Sequence, residues 1–62
     1  MVNKENIKGI IQAHQEEINE IQREIEKTDS DTVKRILGEK LSYLKDNQYR
    51  YKLQANAWGV DV

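Results

Sequence analysis

The sequence predicts an all-α fold, an antiparallel two-helix hairpin of coiled-coil type, on three observations. Apolar side chains recur at alternating steps of four and three residues through each half of the chain. A run of short polar residues, TDSDT at 28–32, separates the halves, and no proline interrupts either one. Steps of four and three keep returning to one face of a helix with about 3.6 residues per turn. Ser, Thr and Asp instead compete for backbone hydrogen bonds, so their run marks a turn and a cap. A composition that is 34% charged and has a mean hydropathy of −0.90 fits long helices with much solvated surface.

In the first half the repeat is Ile7, Ile11, His14, Ile18, Ile21, Ile25 and Thr28. These positions predict a helix over about residues 4–28, with Asn3 as its N-cap because an Asn side-chain oxygen can accept from an otherwise unpaired backbone N–H. The turn falls at 29–31. The second repeat is Leu37, Leu41, Leu44, Gln48, Tyr51, Ala55 and Trp58, which predicts a helix over 32–58. Gly59 suits the left-handed position after a helix end, and Val60 is placed to touch Ala55 in the closure that such a glycine permits. Residues 59–62 are expected to fray.

Folding the chain at Asp31 brings residues equidistant from it together. Ile25 then meets Leu37, Ile21 meets Leu41, Ile18 meets Leu44, Ile11 meets Tyr51 and Ile7 meets Ala55, with His14 opposite Gln48 in the one wholly polar layer. An imidazole opposite a carboxamide can share a hydrogen bond in either tautomer. Such a layer lowers stability but penalises slipped registers, which would set each polar group against Ile or Leu. The same alignment puts Lys4 near Trp58, where an ammonium over an indole would close the open end.

Composition narrows the function classes. There is no cysteine, hence no disulfide, no thiolate nucleophile and no cysteine-type zinc site. A metal site at His14 would want a second ligand four residues away, at Ile10 or Ile18, and neither can coordinate, so no metal and no cofactor is expected. Asp29-Ser30-Asp31 has the form of a metal-binding D-x-D, but the further oxygen ligands of a calcium loop do not follow it, and a turn with an N-cap is the expected role. Glu16, Glu17, Glu20 and Glu24 read as a solvated helix face rather than an acid–base pair. No enzyme activity or small-molecule substrate is expected. Neither a membrane-spanning stretch nor the apolar core of a secretion signal is visible, and a soluble, cytoplasmic protein is the expectation.

The formal net charge is −1 but unevenly spread: residues 1–29 hold four Lys/Arg against seven Asp/Glu, and residues 30–62 hold six against four. Lys34, Arg35, Lys40, Arg50 and Lys52 give the second helix a moderate basic surface diluted by Glu39 and Asp46, which ranks nucleic acid below protein as a partner. Several apolar residues are left over after the layers are filled. Ile36 and Tyr43 share one stripe; Tyr49, Leu53 and Val60 share another, with Ile10 nearby on the first helix and Trp58 at the open end. Gly38, inside the second helix and beside the seam, is expected to permit close approach of another backbone.

The length, the hairpin topology and the central D-x-D turn resemble the architecture of the Rop family of plasmid copy-number proteins. That likeness implies a dimeric four-helix bundle binding RNA hairpins. The stretch LGEKLSYL is also loosely similar to the SQELD-centred helix of the small hairpin phosphatases of sporulation control, with Gly38-Glu39 and Ser42 standing where the defining Ser-Gln and Asp would be. The residues themselves point to a non-enzymatic hairpin that dimerises into a four-helix bundle and binds another protein as a small regulator, inhibitor or assembly factor. Its Asn, Lys, Ile and Glu bias suits a phage or accessory bacterial gene. The alternatives are an RNA-binding bundle of the Rop type and a purely structural oligomerisation element.

Overall fold

A computed structural model describes all 62 residues and contains two helices, α1 (Ile7–Lys27) and α2 (Asp31–Ala57), packed against each other as a hairpin. Its core has two parts. Near the turn, Ile18, Ile21 and Leu44 are buried together, with Ile25, Leu37 and Leu41 packed against them. Near the open end, Ile7, Ile11 and Ala55 are buried, flanked by Val2, Tyr51, Trp58 and Val60. Both sets pair residues equidistant from Asp31, so the heptad repeats and the hairpin register agree.

Each helix end has a local cause. Regular helix begins at Ile7 rather than Lys4, because the preceding residues form a separate turn. The Asn3 side-chain oxygen accepts from the backbone N–H groups of Glu5 and Asn6 at 2.9 Å each, and the Asn6 side-chain oxygen accepts from Asn3 N–H at 2.8 Å. This reciprocal pair satisfies donors that a helix start leaves unpaired. α1 then runs to Lys27. Between the helices, the Thr28 hydroxyl accepts from Ser30 N–H and the Ser30 hydroxyl accepts from Val33 N–H, both at 3.2 Å. Ser30 is therefore the N-cap of α2, and the D-x-D stretch serves as turn and cap.

At the far end Gly59 adopts φ 75°, a conformation that a side chain would strain. Val60 N–H donates to Ala55 O at 2.8 Å and Gly59 N–H to Asn56 O at 3.0 Å, the two bonds of a Schellman closure. Val60 is thereby folded onto the core cluster of Ile7, Ile11 and Ala55. Gly59 and Val60, the first residues of the tail expected to fray, are engaged by this closure. No ammonium caps the indole either: Lys4 lies in the exposed first turn, while Val2 and Val60 pack with Trp58 on that cluster.

The hairpin is elongated, 43 × 18 × 14 Å, with a radius of gyration of 13.7 Å. A compact domain of this length would have a radius of about 10.6 Å. Only seven of 62 residues are buried, so the caps matter more than they would in a larger core. Ser30→Ala should lower stability by about 1 kcal/mol through loss of the N-cap, and Gly59→Ala by roughly 1–2 kcal/mol through left-handed strain. Thermal unfolding followed by circular dichroism checks both.

Candidate interaction surface

The polar layer lies between the two core clusters, but its bonds differ from the sequence expectation. Gln48 is buried, and its side-chain nitrogen donates to Gln15 Oε1 at 3.0 Å and to Ile11 O at 3.3 Å. Gln15 in turn donates to Asn19 Oδ1 at 3.0 Å, forming a short chain of amides across one flank of the seam. His14 does not bond to Gln48. Its Nδ1 lies 2.9 Å from Ile10 O one turn back, and its ring meets Tyr51 edge to face with centroids 5.3 Å apart. A carbonyl oxygen only accepts, so this bond places a proton on Nδ1. The reason for the difference is geometric: His14 and Gln48 lean toward opposite flanks, and each finds a nearer partner there.

Those two contacts label the sides of the hairpin. Stepping by threes and fours at about 100° per residue, the row of His14 on α1 contains Ile10, Glu17, Ile21 and Glu24. On α2 the matching row contains Val33, Ile36, Lys40, Tyr43 and Asn47, adjoining Tyr51. The opposite flank, marked by Gln15 and Gln48, carries Lys34, Gly38, Lys45 and Lys52 on α2.

The expected surface residues distribute unevenly on this frame. Ile36 and Tyr43 are 54% and 66% exposed, and Val33, which the stripe reading omitted, is exposed beside them. Its signal was present in the sequence, three residues before Ile36. Ile10 is half-buried and belongs to this same flank, toward the open end, rather than beside Leu53. Tyr49 and Leu53 are exposed on the outer side of α2, and Val60 does not join them because it is packed inward. Trp58 is half-buried against the hairpin's own cluster.

Gly38 departs furthest from expectation. It is two residues from Ile36, hence about 200° away around the helix, on the flank opposite the Ile36–Tyr43 row. A Cβ built at Gly38 meets nothing within 4 Å, so no backbone of this chain approaches it.

The charged groups do not converge on a reactive centre. No group of three or more His, Asp or Glu is placed to hold a metal ion, and the narrow seam encloses no cavity. Two of the basic residues are engaged by neighbours one turn away: Arg35 with Glu39 at 3.6 Å and Arg50 with Asp46 at 3.2 Å, all well exposed. Such pairs contribute little to stability, but they dilute the basic surface. No helix is long and apolar enough to cross a membrane.

Comparison with known proteins finds no matching family model, no matching curated sequence and no matching solved structure.

The layer is open to a direct check. Replacing His14 by Ile and Gln48 by Leu together removes both polar groups from the seam. The thermal midpoint should rise by about 5 °C, the shift that roughly 1 kcal/mol produces in a domain this small, while the choice of register loosens. A double variant that melts below the parent would show that the amide chain stabilises the hairpin outright.

Proposed function

We propose that this chain is a non-enzymatic protein–protein interaction module, a helical hairpin that self-associates and acts as a small regulator, inhibitor or assembly factor. The observation that carries the reading is the exposed row Val33, Ile36 and Tyr43 on a hairpin whose own core is thin. Two of these side chains are among the largest apolar groups in the protein, and the three lie on one helix face, at steps of three and seven with Lys40 at the intervening position. A solvated helix face has no physical need of that pattern.

Surface area supports the same reading. The hairpin exposes 4712 Å², whereas a compact monomer of 7.3 kDa exposes about 4,200 Å². Packing a second hairpin on the exposed row would cover part of the excess and give the four-helix bundle in which such hairpins commonly end. Tyr49 and Leu53, on the outer side of α2, would then remain for a different protein.

Sedimentation tests the proposal. The parent chain should associate at micromolar concentration, with a thermal midpoint that rises with concentration because association stabilises only the folded form. Ile36→Lys or Tyr43→Glu should yield monomer of reduced helicity, while Glu20→Lys, on the solvated face of α1, should do neither. A well-folded parent monomer at all concentrations would overturn self-association.

A further inference from the structure

Self-association, on which this inference rests, leaves the arrangement of the two copies open, and the charges of the two helices select one. α1 carries three basic residues (Lys8, Arg23, Lys27) against five glutamates, net −2. α2 carries six basic residues against three acidic ones, net +3. On the exposed flank itself, α1 contributes Glu17 and Glu24, and α2 contributes Lys40 between Ile36 and Tyr43.

We propose that a second copy of this chain packs face to face on the Ile36–Tyr43 flank about a two-fold axis parallel to the helices, so that both turns lie at the same end. In this arrangement each α1 lies against the α2 of the other copy, and acidic helix meets basic helix along both new contacts. Glu24 is level with residue 38 of its own hairpin, so the second copy's Lys40 comes within about 3 Å of it along the helix axis, at 1.5 Å per residue.

Turning the axis perpendicular to the helices gives the other face-to-face dimer, with turns at opposite ends. It sets α1 against α1 and α2 against α2, opposing like charges twice, with Glu17 beside its own copy near the two-fold. It also separates the apolar groups. Ile36 lies eight residues from Leu44, the middle of α2, so it would be displaced from its copy by about 24 Å along the axis. The parallel axis instead keeps Val33, Ile36 and Tyr43 at the same level in both chains, on the two α2 helices that lie diagonally across the bundle, while the direct new contacts are between each α2 and the other copy's α1. Charge complementarity therefore selects the parallel axis, and like charges set face to face penalise the alternative.

A single distance distinguishes the arrangements. The chain has no native cysteine, so Asp29→Cys in the full chain accepts one spin label at the turn, at an exposed side chain that takes no part in the Ser30–Val33 cap bond. Pulsed dipolar spectroscopy should give a label separation within about 25 Å, since neighbouring bundle helices lie roughly 8–10 Å apart. Asp61→Cys, at the open end, should give a short separation as well. A dimer with both separations near or beyond the 43 Å length of the hairpin would overturn the parallel arrangement while leaving self-association intact. A monomer by sedimentation, with no dipolar signal, would overturn both and leave the flank to a different partner.

Discussion

Two helices laid side by side touch along one line, and the rest of this protein depends on how little that line can bury. Each helix offers the seam one residue per turn, about five apolar layers in all, and one further layer is given to Gln48 and His14. Ordering the backbone opposes folding by roughly 1–2 kcal/mol per residue. A narrow seam has little surplus against that cost, so the Ser30 cap and the Gly59 closure at the two ends of α2 carry weight. Under the proposed self-association, covering the second apolar row of α2 would add to stability as well as supply a contact.

The polar layer shows how the same constraint serves specificity. Between two apolar clusters, Gln48 is held by Gln15 and by the Ile11 carbonyl, and no buried side-chain polar atom is left without a partner. A slip of the hairpin by one heptad would move Gln48 opposite isoleucine and break this satisfied set, with a desolvation cost for the orphaned amide. The His14 ring, set edge to face on Tyr51, fills the space beside it. Its bond to Ile10 and its position in the seam account for the single histidine without invoking chemistry.

Much of the hairpin was legible in the sequence because one physical variable, the angular position of apolar side chains, decides it. Ile18 against Leu44 follows from counting outward from Asp31, and the Gly59–Val60 closure follows from glycine's tolerance of positive φ. What escaped depended on side-chain reach. Whether Gln48 turns to His14 or to Gln15 is a matter of which flank each side chain leans toward, and two adjacent residues on one helix offer it both options. The start of α1 escaped because Asn3 and Asn6 pair with each other to make their own turn. Gly38 is separated from the Ile36–Tyr43 row by simple arithmetic on the helix: two residues from Ile36 is about a 200° offset, so closeness in sequence is not closeness in space.

The central claim is that one seam is insufficient, so that a well-ordered hairpin depends on a second surface being covered. Amide hydrogen exchange at Ile18 and Leu44, in the middle of the seam, tests this most directly, because these are the last amides to open in a hairpin that unfolds from its ends. Their protection should rise with protein concentration over the micromolar to millimolar range, as mass action adds the stability of association to that of the single seam. Strong protection that is unchanged by dilution would show that the six layers suffice alone and would contradict the account.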